Sequence, residues 1–341
     1  MARVAVSLAV IVGSISLQNY FIFNHFPHLS RVTTDFSPAY LRRELQFLAA
    51  TPPEIIFLGD SVLWGYRLNG DQTAVSILRS RGCPCRNLAF KSGNPPNDYF
   101  LTRLLLASGI RPRLVVLDVN QAVLNQSSDY YQSLHPALAV LADPFLRPND
   151  RTILALPPRG SRLRQRFDDT LSALSQLYAM RSDIRETVFR DTAAAAIPRH
   201  LTPELFEGTY DLIPLDDTNV GVRFLEKTVE LWRHNGVPVL AFLTPTNHAL
   251  LHRYIDNSHY DANIAFLEHR LGQRGARILN LDDAFPANDF LDNAHLSVPG
   301  QHRLASRIAC AIGAYGRCIE HGSSGSVASR SSGDRPRSLD R

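Results

Sequence analysis

Five apolar runs of strand length recur along the chain, and segments with helical apolar periodicity lie between them. The runs are residues 54–59, 86–90, 113–119, 237–243 and 277–281. The expected helices are residues 62–80, 97–109, 220–235, 259–274 and 299–313. This alternation is typical of βαβ units and predicts a doubly wound α/β domain with a mostly parallel sheet. A chain of 341 residues, 45% of them hydrophobic, is long enough to build one large domain with an elaboration.

The first apolar run ends at a glycine, and a serine follows two residues later. The sequence Ile55-Ile56-Phe57-Leu58-Gly59-Asp60-Ser61 predicts a buried strand that stops at the glycine and turns into a helix. This turn puts the Ser61 hydroxyl at the carboxyl end of a strand, which is the edge where open α/β sheets bind ligands. Ser61 is therefore the candidate nucleophile.

A serine nucleophile needs a neighbouring base, and the base needs a carboxylate that fixes its tautomer. The segment Asp292-Asn293-Ala294-His295 supplies both residue types, on a loop before a helix that Pro299 and Gly300 indicate. The carboxylate can reach one ring nitrogen of His295 while the other nitrogen faces Ser61. Nearby aspartates are rivals for the role of the acid. They are Asp282, Asp283 and Asp289.

In this order, Gly59-Asp60-Ser61 and the late Asp-x-x-His resemble the SGNH (GDSL-type) hydrolase superfamily, and two further blocks of that family have counterparts here. Ser92-Gly93-Asn94 resembles the glycine block, and Asp118-Val119-Asn120-Gln121 resembles the asparagine block. In the second of these, Asp118 and Gln121 replace the usual glycine and aspartate. The resemblance covers roughly residues 54 to 120 and 237 to 313. Of the candidate acids, Asp292 is the one at the family's Asp-x-x-His spacing from His295, so it is favoured over the rivals.

The resemblance implies a five-stranded, flavodoxin-like sheet and ester chemistry. Ser61, Asp292 and His295 would be catalytic, and the backbone N–H groups of Ser61 and Gly93 with the side-chain amide of Asn120 would form the oxyanion hole. Such donors stabilise the charge that acyl transfer builds on the carbonyl oxygen, each by a factor of about 100 to 1,000. No metal and no organic cofactor are implied.

Further side chains near these motifs are candidates for lining the substrate pocket. They are Asp60, Trp64, Asn94, Asn247 and His248. For Trp64 and the nearby Tyr66, simple packing is the alternative. The segment Thr244-Pro245-Thr246-Asn247-His248 follows the fourth predicted strand. It either lines an acceptor site or forms a turn in which Asn247 and His248 bond local backbone.

The N-terminus carries an apolar run at residues 4–15 that continues to residue 23, with Arg3 as the charge before it. A cleavable signal peptide would end in small residues, whereas aromatic residues follow here. We therefore expect residues 1–24 to form an uncleaved membrane anchor, with the catalytic domain on the periplasmic or cell-surface side. A cleaved signal peptide and a buried core helix are the alternatives.

The rest of the chain divides by composition. Residues 25–53 lead into a domain over residues 54–318, and the Ser-, Gly- and Arg-rich residues 319–341 are expected to be disordered. Residues 121–220 form a partly helical insertion, with a helical pattern over residues 167–178. Its arginines either bind an anionic glycan or lipid headgroup or form a solvated face. They are Arg147, Arg151, Arg159, Arg162, Arg164 and Arg166.

Four cysteines fit an oxidising compartment. Cys83 and Cys85 are too close to pair comfortably with each other, so bridges to Cys310 and Cys318 would staple the last helix to the segment after the Ser61 helix. Four reduced structural thiols are the alternative. The spacing does not match a usual zinc site. The net charge of +4 has scattered sources, so no nucleic-acid partner is expected.

These observations lead to three functional hypotheses. The first is a membrane-anchored, extracytoplasmic serine esterase or acyltransferase that acts through an acyl-Ser61 intermediate. It resembles proteins that O-acetylate exported polysaccharides or handle D-alanyl esters, often beside a multi-pass membrane acyl donor. The second is a free-standing lipase or carbohydrate esterase. The third is a catalytically idle SGNH-like domain that binds glycan or serves as a scaffold.

Overall fold

The computed structural model describes residues 2–25, 36–91, 93–124, 133–154, 202–206 and 213–313, with a few single positions between 170 and 210. Its centre is a sheet of five parallel strands in the order β2-β1-β3-β4-β5. The strands are β1 (Ile55–Leu58), β2 (Cys85–Asn87), β3 (Leu114–Val119), β4 (Val239–Leu243) and β5 (Arg277–Asn280). This order is the flavodoxin-like, doubly wound arrangement, so the predicted fold class is confirmed.

Helices connect the strands and cover both faces of the sheet. The α-helices are α1 (Ala2–His25), α2 (Pro38–Ala50), α3 (Ser61–Trp64), α4 (Ala74–Ser80), α5 (Pro95–Ala107), α6 (Pro136–Leu141), α7 (Pro148–Ile153), α8 (Val220–His234), α9 (His248–Ile255), α10 (Ser258–Gln273) and α11 (Val298–Ile312). Short 3₁₀ turns lie at Gly70–Gln72, Gln121–Leu124, Asp143–Phe145, Pro203–Phe206 and Ala287–Asp289.

Alternate residues of the central strands belong to two separate apolar cores, one on each face of the sheet. On one face, Ile56 and Val115 pack with side chains of α2, α5, α8 and α10. On the other face, Phe57 and Val116 pack with side chains of α4 and α11. Because both faces are covered, the central strands read as continuous apolar runs, which is why the sequence located them well.

The helices differ from the predicted ones at three places. The helix expected over residues 62–80 is broken, because Gly65 adopts a left-handed conformation (φ 81°) that ends α3 after one turn. The lead-in contains α2, whose buried leucines pack on the first core. A further helix, α9, precedes α10.

The first helix, α1, carries exposed apolar side chains, including Val10 and Leu17. Within the residues that the structure describes, no helix meets the combined length and hydropathy that a membrane crossing requires.

The cysteines follow neither expectation in full. Cys83 is disulfide-bonded, so the alternative of four reduced thiols is wrong. Cys85 and Cys310 are free, so a second bridge between these two is wrong as well. Burial raises the pKa of the Cys85 thiol to about 12, which makes it an inert core residue. Cys318 lies outside the described residues.

Several predictions on the insertion and the tail also fall outside the described residues. They concern Arg159, Arg162, Arg164 and Arg166, the greater part of the helical pattern at 167–178, and residues 319–341.

Candidate active site

The turn after β1 places Ser61 at the carboxyl edge of the sheet. Gly59 has a φ of 150°, and a Cβ there would lie 2.3 Å from the Cβ of Asp118, so the close approach of β3 requires glycine. Asp60 then caps α3, because its Oδ1 accepts a hydrogen bond from the Val62 N–H at 2.7 Å. The strand, the glycine and the cap together fix Ser61 as the first residue of the helix.

The structure brings Ser61, His295 and Asp292 together as a hydrogen-bonded chain. Ser61 Oγ lies 2.8 Å from His295 Nε2, across 234 residues of sequence. His295 Nδ1 lies 2.8 Å from Asp292 Oδ2 and 2.9 Å from Oδ1. These distances and the order of the groups fit a nucleophile, a base and an orienting acid.

The loop that carries Asp292 and His295 is fixed by its own backbone. Asp292 Oδ1 accepts the backbone N–H groups of Ala294 and His295, and Leu291 N–H donates to His295 O. Burial alone would raise the pKa of Asp292, but the hydrogen bonds and the charge of His295 outweigh it and lower this pKa. Asp292 is therefore held as a carboxylate that can stabilise a charged imidazole.

Asn247, predicted to line the pocket, caps α9 and supports the same loop. Its side chain is buried, and its Nδ2 donates to Asp292 O at 3.0 Å. Its backbone N–H donates to Asn293 O, and its Oδ1 accepts the Leu250 N–H at the start of α9. Asn247 thus ties the end of β4 to the segment that presents the acid.

Asn120 lies at the end of β3 with its amide held in one orientation. Its Nδ2 donates to Asp60 Oδ2 at 2.7 Å, and its Oδ1 accepts the Ala122 N–H at 3.0 Å. An amide nitrogen carries two hydrogens, so one N–H is left to donate elsewhere. Asp60, predicted to line the pocket, is 4% exposed; it holds this amide, caps α3 and lines a small cavity behind the turn.

Gly93 packs directly on the backbone before Ser61. A Cβ at this position would lie 2.2 Å from Gly59 O, so close packing alone requires a glycine. Its N–H donates to Phe90 O at 2.8 Å and is not aimed at an oxyanion position in this structure. An oxyanion role for Gly93 would require this bond to open.

Two other residues predicted to line the pocket, Trp64 and Asn94, have structural contacts. Trp64 is 3% exposed and belongs to the first apolar core, so the packing alternative is the correct one. Asn94 is buried, accepts the Asn97 N–H as the cap of α5, and donates to Ser133 O at 2.8 Å.

His248 forms a second histidine–carboxylate pair. Its Nε2 lies 2.7 Å from Asp282 Oδ2, and this bond raises the pKa of His248 despite partial burial. Asp282 also accepts the Tyr260 hydroxyl at 2.6 Å, while the rival acid Asp289 pairs with Arg303. Of the candidate acids, Asp292 is the one that lies at His295.

An aromatic ring lies against His295, and two cations lie over that ring. The ring centroids of Tyr66 and His295 are 4.7 Å apart, so Tyr66 lies against the base, and it also packs on the first apolar core. Lys91 Nζ and the Arg67 guanidinium lie 5.2 and 5.3 Å from the Tyr66 ring centroid. Arg67 has a left-handed backbone (φ 63°), which is uncommon for a residue with a side chain. We call these three residues the cationic rim.

Gln301 is a supporting residue that the sequence reasoning missed. It is fully buried in α11, where its Nε2 donates to Val62 O at 3.0 Å and its Oε1 accepts the Ala74 N–H at 2.8 Å. It therefore ties the helix that follows His295 to the helix that starts at Ser61. No local motif marks it, since the partners are more than 200 residues away.

Among the described residues, no group of three or more His, Cys, Asp or Glu side chains is arranged to hold a metal ion.

No curated protein matches the chain. A family model without a functional description matches residues 217–314. Among solved structures, the chain is similar to a proposed lipolytic protein of the G-D-S-L family from Desulfitobacterium hafniense, with 12% identity and a TM-score of 0.37. The alignment covers 75% of this chain and 97% of the other. An assignment of activity therefore rests on the geometry of the site.

Proposed function

We propose that the protein is a serine esterase or acyltransferase that works through an acyl-Ser61 intermediate. The observation that carries the proposal is the continuous hydrogen-bonded chain from Ser61 Oγ through His295 to Asp292. Each pair is within the 2.6–3.2 Å range in which proton transfer between such groups operates. The three groups come from two loops at the same edge of the sheet, where substrates of this architecture bind.

In the proposed reaction, Ser61 Oγ attacks the ester carbonyl while its proton moves to His295 Nε2. The imidazolium is stabilised by Asp292 and then gives that proton to the leaving alkoxide, which departs as an alcohol. In the second half, His295 takes a proton from the acceptor, either water or a sugar hydroxyl. The acceptor oxygen bonds to the acyl carbon, the bond between that carbon and Ser61 Oγ breaks, and His295 returns the proton to Ser61 Oγ.

Neutral hydrogen-bond donors would stabilise the oxyanion. The free N–H of the Asn120 amide is the best supported of these, because Asp60 and Ala122 hold the side chain in place. The Ser61 backbone N–H, at the first position of α3, is the second donor. Fixed donors of this kind act without reorganising when charge develops.

For the substrate, we propose O-acyl esters, acetyl above all, of a cell-surface or exported polysaccharide. The cationic rim supports an acidic polymer, because Lys91 and Arg67 place positive charge at the Tyr66 ring, which in turn lies against His295. The extracytoplasmic, membrane-anchored location is part of the same proposal and is supported by the apolar run at residues 4–15. For a transferase, we propose a multi-pass membrane protein as the acyl donor.

Intact-mass analysis of the full-length protein tests the proposal. After incubation with an activated acetyl ester, the wild type should gain one acetyl group and Ser61→Ala none. Ser306→Ala, which removes an exposed serine of α11, is the matched control and should acylate like the wild type. Loss of the adduct on addition of an acidic glycan, with acetyl recovered on the glycan, would identify a transferase, and rapid loss in water alone a hydrolase.

A second candidate, an idle glycan-binding domain, is favoured by one observation, the engagement of the Gly93 N–H by Phe90 O. Absence of any adduct and any turnover with acyl esters of several chain lengths would overturn the enzymatic proposal and favour this candidate.

A further inference from the structure

Three buried carboxyl groups lie directly behind the Ser61 turn. Asp60 ends the turn from β1, Asp98 is on α5 and Asp118 is on β3, and their exposed fractions are 4%, 2% and 5%. All three line one small cavity, together with Gly59 and Asn120. A cluster of buried acids without cations is unfavourable if every member is charged, so the position of the protons must be assigned.

The three carboxyls have different partners. Both oxygens of Asp60 accept N–H donors, from Val62 and from Asn120. Asp118 Oδ1 accepts the Thr244 hydroxyl, while its buried Oδ2 accepts no N–H or hydroxyl donor among the described residues. Asp98 Oδ1 is likewise buried and accepts no such donor among the described residues. An acceptor-only carboxylate fits Asp60, whereas Asp98 and Asp118 have an oxygen that can carry a proton.

The surroundings of Asp118 favour the neutral acid. Burial is the largest of the causes that raise the pKa of Asp118 well above its ordinary value. The charge of Asp60, the close approach of its carboxyl group and the charge of Asp98 raise this pKa further. The Thr244 hydrogen bond acts in the opposite direction. Asp98 shows the same raised pKa, again with burial first and the charge of Asp60 second. The two titratable groups that act on Asp118 are Asp60 and Asp98, and both are carboxyl groups.

We propose that Asp118 is a positioning residue that stays protonated, so that Asp60 remains the single carboxylate that orients the Asn120 amide. A second charge at Asp118 would repel Asp60 and offer the amide a competing acceptor. It would also add negative charge behind the site where the oxyanion forms. The positioning role rests on the proposed function, because it concerns Asn120 as an oxyanion donor, whereas the protonation does not.

The protonation is tested by melting curves of the full-length wild type, Asp118→Asn and the exposed control Asp71→Asn. In the unfolded chain Asp118 ionises above its ordinary pKa of 3.8, while in the folded chain it keeps its proton. The folded state then binds the extra proton, so the stability of the wild type falls as the pH rises above that value. The melting temperature of Asp118→Asn should rise relative to the wild type by about 2 °C per pH unit between about pH 4 and pH 8. Asp71→Asn should show no such trend.

The positioning role is tested by the acylation rate of Ser61 as a function of pH. Asp118→Ala should lose at least about tenfold in rate, since a displaced oxyanion donor costs up to the roughly 100- to 1,000-fold of a removed one. Asp118→Asn should recover most of that loss, because its amide can accept from Thr244 and face Asp60 without a charge. It should also abolish any alkaline fall in rate that the wild type shows.

The outcomes separate the two claims. A flat melting difference across the pH range would show that Asp118 is already ionised and would overturn the inference. An Asp118→Asn variant as slow as Asp118→Ala would overturn the positioning role. If the wild type itself forms no acyl-enzyme, the proposed function and the positioning role fail together, and the melting curves still decide the protonation.

Discussion

In the part of the chain that the structure describes, two histidine–carboxylate pairs lie at one edge of the sheet, and they differ in what surrounds them. In the first pair, Asp292 binds Nδ1 of His295 and leaves Nε2 to face Ser61 Oγ. In the second pair, Asp282 binds Nε2 of His248, and the carboxylate is shared with the Tyr260 hydroxyl. Nδ1 of His248 points toward the exposed Asp283, 3.9 Å away.

The comparison shows that a histidine–carboxylate contact alone does not identify a catalytic base. In the first pair the acid and the base are three residues apart on one loop, and the free ring nitrogen meets a hydroxyl at the first position of a helix. In the second pair the free nitrogen meets a carboxylate at the surface. The position of the nucleophile, set by Gly59 and Asp60, therefore distinguishes the two pairs.

The largest expected difference between the two pairs appears when the charge of each acid is removed in turn. Asp292→Asn should lower the rate of Ser61 acylation by about 10⁴-fold, because the amide favours the wrong tautomer of His295. Asp282→Asn should acylate near the wild-type rate but lose about 2 kcal/mol of stability, since Tyr260 and His248 lose their charged partner. Single-turnover acylation and thermal unfolding measure the two effects. Equal rate losses in both variants would contradict the distinction.

An intermediate effect is expected at Asn247, which links the end of β4 to the acid loop. Asn247→Ala should slow acylation about tenfold, because Asp292 loses the bond that positions its backbone. It should also cost about 1 kcal/mol of stability through the lost cap of α9. Asn257→Ala is the matched control, since Asn257 caps α10 in the same way without contact to Asp292. The two variants should lose similar stability, and the rate loss should be confined to Asn247→Ala.

The smallest effect concerns the pH dependence of the second pair. The folded pKa of His248 is raised above 6.5, mainly by its bond to Asp282, so its contribution to stability is fully present below that pH. It is lost as the pH rises through the raised pKa. Since the side chain is one-third exposed, solvent screens the pair, and we expect a melting difference between the wild type and His248→Gln of about 1 °C. The difference should be present near pH 5.5 and absent near pH 9; the reverse order would contradict the assignment.

The fold and the first pair were accessible from the sequence for physical reasons. Strands buried on both faces give continuous apolar runs, and an acid and a base three residues apart are visible as one motif. The end of α3 was missed, because a left-handed Gly65 within a helical pattern resembles an ordinary surface glycine. The contact of Asp118 with Thr244, 126 residues away, follows only from the pairing of β3 with β4. The same applies to Gln301 and Val62.

The polar residues predicted to line the pocket also have structural partners that the sequence did not reveal. Polar side chains next to a nucleophile motif can equally serve the backbone, and Asp60, Asn94 and Asn247 all cap helices in this structure. Their proximity in sequence to the motifs was correct, but the direction of each side chain depends on the local turn.

The measurement that tests the central claim most directly is labelling of the full-length protein with a fluorophosphonate, followed by peptide mapping. This reagent phosphonylates an activated serine, so it reports the nucleophile without a known substrate. The wild type and His248→Ala should both carry the label on Ser61, and His295→Ala should carry none. A label on another serine, or loss of labelling in His248→Ala with labelling intact in His295→Ala, would contradict the assignment of Ser61, His295 and Asp292 as the catalytic groups.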